Sequence, residues 1–187
     1  MPTRRQIITT TASAFAMLGF AGCGVAQTTP ANQNPRLHLI GETRLPHKLQ
    51  FQGTTVGGLS GIDYDPASGT YYLLSDDGSS VSPPRFYTAR MALKADKLGD
   101  IELIGVTFLQ GLNAPDPEGI RWHAPSQSLL WTSEGNAVGF TAAALHQTRP
   151  DGTLARTCPL PAMFDFGLTS GPRINKTLEG LGLTPDG

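Results

Sequence analysis

One stretch of the chain occurs twice and begins a third time, and this repeat limits the fold more than any other feature. Residues 59–77 (LSGIDYDPASGTYYLLSDD) align without a gap with residues 117–135 (PEGIRWHAPSQSLLWTSEG), and residues 178–187 (LEGLGLTPDG) start the same pattern again. Gly61, Gly119 and Gly180 mark the three copies, at spacings of 58 and 61 residues. A repeat of this size made of paired strands predicts β-propeller blades that insertions have lengthened.

Each copy predicts a β-hairpin. Apolar residues alternate after the marker glycine, at Ile62 and Tyr64 in the first copy, and a turn rich in Pro, Ala, Ser or Gly follows. The pattern predicts return strands at 71–74 and 129–132, so that residue 62 faces 74 and residue 120 faces 132. In the third copy, Leu181 and Leu183 predict the same first strand. Further strands are expected at 85–93, 101–109, 142–147 and 155–160, with a turn at Asp151-Gly152, which makes four strands per blade.

The predicted fold class is therefore all-β. The 22 glycines and 15 prolines favour strands and turns, and beyond the N-terminal leader no long segment has the apolar spacing of a helix. About two and a fraction blades are present, and a propeller closes only when every blade has its neighbours. We therefore expect this sequence to be the N-terminal fragment of a protein at least about twice as long.

The first 26 residues predict an export signal. Arg4 and Arg5 precede an apolar stretch at 12–21 that is too short to span a bilayer, as in twin-arginine signal peptides. The segment Phe20–Cys23 is similar to a lipobox, in which Cys23 becomes the lipid-modified first residue of the mature protein. The alternative is ordinary cleavage after Ala26. Both alternatives predict an exported protein, either periplasmic or lipid-anchored at the cell envelope.

The remaining chain is predicted to contain two regions. Residues 27–52 form a tether and first strand region, rich at its start in Thr, Asn, Gln and Pro, and residues 53–187 form an incomplete propeller domain. Cys158 is the only cysteine besides Cys23, so no disulfide is expected. The net charge of −1 argues against a nucleic-acid partner. Contact with a membrane is expected only through the lipid anchor.

Acidic residues occupy equivalent positions at one end of the predicted hairpins. The hairpin geometry brings Ser60 beside Asp76 and Glu118 beside Glu134, and innermost propeller strands line the central channel. Carboxylates from successive blades should therefore meet at one mouth of that channel. Like charges brought together raise carboxyl pKa values or bind a cation, and carboxylate oxygens suit calcium or magnesium. The alternative is that these acids only accept hydrogen bonds from nearby backbone amides or cap turns. The predicted ligands are Asp76, Asp77, Glu118, Glu134 and Glu179, with Asp116 as a further candidate.

Two basic residues precede the third copy and are predicted to bind substrate. Arg173 and Lys176 could pair with a phosphate or carboxylate group, although Lys176 also fits a simple solvated surface position. Ser60 does not belong to a Gly-x-Ser-x-Gly elbow, because Ile62 stands where the second glycine is required. The four histidines lack zinc-binding spacing. No catalytic residue is predicted.

Six motifs in order resemble the phytase-like domain family, also described as esterase-like activity of phytase. The resemblance extends over about residues 53–187. The motifs are GGLSGI at 57–62, LSDDG at 74–78, RFY at 85–87, DPEGI at 116–120, SEGN at 133–136 and R-x-N-x-x-x-EGL at 173–181. Two positions depart from the expected pattern: Thr177 stands in place of a glycine, and Ser60 stands in place of an acid.

The resemblance implies a secreted bacterial β-propeller with metal-dependent phosphoesterase or esterase-like activity. Calcium is the expected cofactor, and a small phosphate ester or related ester is the expected substrate. A second class of function stays open, since propellers also serve as non-catalytic modules. In that case the protein would be a lipoprotein of the cell envelope that binds a ligand or another protein.

Overall fold

The computed structural model describes residues 37–77, 80–135, 141–167, 171–173 and 176–185. The chain divides into two compact units, residues 1–38 and residues 39–187. The predicted signal peptide and Cys23 lie outside the described residues. Within the ranges given above, no helix has the length and apolar character needed to cross a membrane.

Two four-stranded antiparallel sheets make up most of the second unit, one for each complete copy of the repeat. The first sheet has the order β3-β4-β5-β6 and the second the order β7-β8-β9-β10 when read along the chain. A two-stranded hairpin, β1-β2, precedes them, and short 3-10 helices occupy Ala124–Ser126 and Ala162–Phe164. The strands are β1 Gln50–Phe51, β2 Thr54–Thr55, β3 Leu59–Asp65, β4 Thr70–Ser75, β5 Arg85–Lys94, β6 Lys97–Phe108, β7 Pro117–His123, β8 Ser128–Ser133, β9 Ala144–Thr148 and β10 Leu154–Pro159.

The predicted all-β class and the four strands per repeat are confirmed, but two details of the hairpins were wrong. Ile62 pairs with Leu73 and Ile120 pairs with Trp131, one residue away from the predicted partners 74 and 132. The pairing is constant from the turn outward, from Asp65↔Thr70 to Ile62↔Leu73 in the first copy and from His123↔Ser128 to Ile120↔Trp131 in the second, so the length of each turn sets it. A bulge alters the pairing only beyond these residues, near the start of β3 and near the start of β7. The predicted third-copy strand at 181–183 is also absent, since the described residues 176–185 contain no strand.

Strand β4 of the first sheet is buried on both faces, which explains its apolar run. Tyr72, Leu74 and Phe86 pack against residues of the second sheet. The opposite face of the first sheet carries a separate cluster that includes Tyr71 and Leu73, partly covered by residues that precede β3. Successive side chains of a strand point to opposite faces, so both sets are apolar and β4 shows no polar alternation. The second sheet contributes Ile120, Leu129 and Trp131 to the shared core.

The marker glycines are contact points between successive copies. A Cβ added at Gly61 would lie 3.0 Å from the backbone nitrogen of Ile120 in the second copy. A Cβ added at Gly119 would lie 3.1 Å from the backbone nitrogen of Leu181 in the third copy. The same relation therefore links the first copy to the second and the second to the third. An added side chain would therefore press on the backbone of the next copy at both positions and displace it by a few tenths of an ångström.

We expect Gly61→Ala to destabilise the protein by about 1–3 kcal/mol, because the new methyl group forces β3 and β7 apart. Gly57→Ala is the matched control, since a Cβ at Gly57 meets no atom within 4 Å. Urea unfolding of both variants measures the difference. Equal midpoints for the two variants would show that the contact at Gly61 contributes nothing to stability.

Candidate metal centre

A backbone hydrogen bond that occurs at the same position of both copies places the acidic residues at the same end of the two hairpins. The N–H of Asp76 donates to the carbonyl oxygen of Gly58 at 2.7 Å, and the N–H of Glu134 donates to the carbonyl oxygen of Asp116 at 2.9 Å. The two bonds join equivalent positions of the repeat. Each bond holds the residue that follows the return strand beside the residue that precedes the first strand. Positions 58, 60 and 76 of the first copy therefore correspond to 116, 118 and 134 of the second.

The second copy carries a carboxylate at all three of these positions. Asp116, Glu118 and Glu134 each offer one oxygen, and the three oxygens lie within 4.8 Å of one another. Glu118 is 9% exposed and Glu134 is 2% exposed. Two oxygens bound to one calcium ion at about 2.3–2.6 Å can be no more than about 5 Å apart. The geometry and the all-oxygen donor set therefore fit a hard cation such as calcium.

Glu134 supplies a second, independent observation that points to a ligand. Its Oε1 accepts a hydrogen bond from the N–H of Thr177 at 2.9 Å, and the Thr177 hydroxyl donates to the carbonyl oxygen of Glu134 at 3.0 Å. Its Oε2 is buried and has no hydrogen-bond partner among the described residues. A buried carboxylate oxygen without a partner is costly, and a bound cation would remove that cost.

Acids of the cluster have carboxyl pKa values above the ordinary range. Burial raises the pKa of Glu118 to about 8, with further contributions from the acids around it. Burial also raises the pKa of Asp76 and that of Asp116, and neighbouring negative charges add to both shifts. Like charges in a desolvated site disfavour full ionisation, which is the electrostatic condition that a cation relieves. The acids that interact in this way are Asp76, Asp77, Asp116, Glu118, Glu134 and Glu179.

The first copy contributes fewer carboxylates, because a glycine and a serine occupy two of its three positions. Gly58, the equivalent of Asp116, has φ +55°, and a Cβ there would clash with Oδ1 of Asp76. Ser60, the equivalent of Glu118, donates its hydroxyl proton to the carbonyl oxygen of Glu118 at 2.7 Å. The serine in place of an acid therefore joins the two hairpins, and Asp76 is the carboxylate that this copy brings to the cluster.

Three of the predicted site residues, Glu179, Arg173 and Lys176, are exposed. Glu179 is exposed, and its charge raises the pKa of Asp76 and of Glu118. Arg173 and Lys176 are exposed, and in the described part of the chain no ion pair joins either of them to an acidic side chain.

Two contacts of this site were not foreseen from the sequence. Arg85 forms an ion pair with Asp77 at 2.7 Å, and its side chain is 1% exposed. Thr177, noted only as a departure from a pattern, binds Glu134 through two hydrogen bonds. An arginine at the head of the apolar strand β5 was the signal that could have identified Arg85, since a buried arginine requires an anionic or carbonyl partner.

Comparison with known proteins agrees with the motifs. The family model described as phytase-like, esterase-like activity of phytase, matches residues 54–187. Searches of curated proteins and of solved structures found no match. The matched segment contains both four-stranded sheets and all six acids of the cluster. The chain therefore belongs to the phytase-like family.

Proposed function

We propose that the protein is an exported β-propeller that hydrolyses phosphate esters or related esters with the help of a calcium ion. The observation that carries this proposal is the three-carboxylate group of Asp116, Glu118 and Glu134, together with the buried Oε2 of Glu134. Family membership supports a hydrolase, and the repeated packing of Gly61 and Gly119 supports successive blades of a propeller. Export relies on the leader, with Cys23 as the proposed site of lipid attachment.

The proposed ligands come from successive copies of the repeat. Asp116, Glu118 and Glu134 form the centre, Asp76 approaches from the first copy, and Glu179 approaches from the third. The chain's own acids repel one another, so binding a cation stabilises their ionised forms. Glu118 retains its proton at neutral pH in the metal-free protein, because its pKa is about 8, and releases it when the site is filled.

The chemistry divides between the ion and the protein. A bound calcium ion would polarise a phosphoryl or carbonyl oxygen of the substrate and stabilise the charge that develops there. Thr177 holds Oε1 of Glu134 and so fixes the orientation of that carboxylate. We propose that Arg173 and Lys176, which precede the third copy, bind the anionic part of the substrate from solvent.

We expect calcium to raise the melting temperature of the chain and to support turnover of aryl phosphates, acyl esters or phytate. Glu134→Gln keeps the shape of the side chain but removes its charge, so it should reduce calcium affinity by at least about 10-fold and abolish most of the turnover. Titration calorimetry, thermal unfolding and a hydrolysis assay in calcium measure these effects.

Glu102→Gln on β6 is the matched control, since Glu102 is exposed and lies outside the cluster. It should leave both calcium affinity and turnover unchanged. Calcium binding without turnover of any of the three substrates would favour the non-catalytic binding propeller. A wild-type chain that binds no calcium would contradict the metal site itself.

A further inference from the structure

Arg85 is the most completely buried charged side chain near the acidic cluster, and its guanidinium contacts β2, β5 and the connection between β4 and β5. Its Nη1 lies 2.7 Å from Oδ2 of Asp77. Its Nη2 donates to the carbonyl oxygen of Thr55 at 2.8 Å, its Nη1 also donates to that of Pro83 at 3.2 Å, and its Nε donates to the hydroxyl oxygen of Tyr87 at 2.7 Å. The residue itself is 0% exposed.

The buried guanidinium holds the Asp77 carboxylate, whose side chain is 12% exposed. A guanidinium presents its donors in a rigid planar fork, so partners on several edges fix its orientation. Asp77 is the anionic partner of Arg85 in this set, and a buried cation that loses its anion is strongly destabilised. Arg85 therefore fixes the direction of the Asp77 side chain.

Asp77 directly follows Asp76, so the ion pair also determines where Asp76 lies. The N–H of Asp76 is bound to Gly58, and its carboxylate interacts with Glu118 and Asp116 of the second copy. The segment 76–77 is thus held by Gly58 through the backbone and by Arg85 through the side chain of Asp77, and Ser80 donates its N–H and its hydroxyl to the carbonyl oxygen of Asp77.

We propose that Arg85 is a positioning residue for the metal centre, which through its ion pair with Asp77 holds Asp76 against the carboxylates of the second copy. In this assignment Asp77 acts through Arg85 and does not ligate the cation. The inference deepens the proposed function and depends on it only for the identity of the bound ion.

A double-mutant cycle on calcium affinity separates a positioning pair from a ligand. We expect Asp77→Asn and Arg85→Met each to weaken calcium binding by about 10-fold, as outer partners of metal ligands do. The double variant should be no weaker than the weaker single variant, because both changes remove one interaction. Arg85→Lys keeps the charge but loses the planar fork, so it should recover part of the affinity.

A ligand role for Asp77 gives a different result. Asp77→Asn would then weaken calcium binding by at least about 100-fold, and the same further loss would appear when it is added to Arg85→Met. That outcome would overturn the proposal. If Arg85→Met does not fold, the comparison of Asp77→Asn with Arg85→Lys answers the same question, because both variants retain a polar side chain at each position.

Hydrogen exchange in the metal-free protein tests the positioning without calcium. Asp77→Asn and Arg85→Lys should accelerate exchange of the Asp76 amide by about 10-fold, since the ion pair no longer holds the segment. The Glu134 amide is the internal control, because it makes the equivalent hydrogen bond in the second copy. Equal acceleration at both amides, or none at Asp76, would contradict the proposal.

The two experiments fail independently. Absence of calcium binding by the wild type would remove the proposed function, while the exchange result would still decide whether Arg85 positions Asp76. Normal calcium binding with unchanged exchange at Asp76 would remove only the role of Arg85.

Discussion

Glu118→Gln is expected to stabilise the metal-free protein at alkaline pH and to remove most of its stabilisation by calcium. Folding raises the pKa of Glu118 from 4.5 to about 8, chiefly through burial. The folded state therefore holds a proton that the unfolded state has already lost, and wild-type stability falls as pH rises from 4.5 to about 8. Glutamine does not titrate, so it avoids this loss. Since one pKa unit corresponds to about 1.4 kcal/mol, we expect an advantage of about 2–4 kcal/mol above the pKa.

Urea unfolding in a chelator at about pH 5 and about pH 9 measures this effect. The advantage of the variant should be small at the lower pH and full at the higher one. With excess calcium at the higher pH the order should reverse, because the wild type gains stability by binding the ion and the variant gains much less. Glu102→Gln should follow the wild type throughout. A constant difference at both pH values would mean that Glu118 does not titrate between them.

Gly152→Ala is expected to lose at least about 3 kcal/mol of stability, the largest effect of any single methyl group that we consider. Gly152 has φ +88°, a conformation that alanine adopts only with strain. A Cβ there would also clash with the carbonyl oxygen of Phe108 at the end of β6. The turn that contains Gly152 contacts the segment that follows β6, since Gln110 donates its N–H to the Gly152 carbonyl oxygen at 2.9 Å. Thermal and urea unfolding measure the loss.

Gly53→Ala separates the two causes of that loss. Gly53 has a similar φ of +79°, but a Cβ there meets no atom within 4 Å. It should cost only the backbone strain, about 1–2 kcal/mol. The excess loss in Gly152→Ala then measures the contact with Phe108. Equal losses of stability in the two variants would show that the structure moves to relieve the contact with Phe108 at no cost in free energy.

The local pattern of the sequence predicted the elements of the fold, because strand alternation and turn chemistry act over a few residues. The four strands of each repeat, the turn at Asp151-Gly152 and the family were identified in this way and are confirmed. The register of both hairpins was predicted one residue away from the observed pairing. The turns caused that difference, because each turn places four residues between the first paired residues, Asp65 and Thr70 in the first copy and His123 and Ser128 in the second.

The contacts that make the candidate site were decided by the tertiary structure. Repeat symmetry predicted that Asp76, Glu118 and Glu134 share one end of their hairpins, and their role as metal ligands stays a prediction. The spacing of residues along the chain contained no information on whether Asp77 would face a cation or Arg85, or on which backbone would hold Glu134. These contacts join residues 8 and 43 positions apart in sequence, through the packing of separate strands and loops.

The sequence by itself therefore determined the repeat, the all-β class, the strands of the two complete copies and the family, since each depends on local periodicity or on motifs in order. Only the tertiary structure decided which copy each marker glycine contacts and which acids approach within 4.8 Å of one another. It also decided which carboxylate forms the ion pair with the buried guanidinium of Arg85. The physical reason is that the alternation of apolar and polar residues in the sequence indicates only the face of a strand on which a side chain lies. Close approach depends on how separate strands pack, where burial and neighbouring charge set the electrostatics of each group.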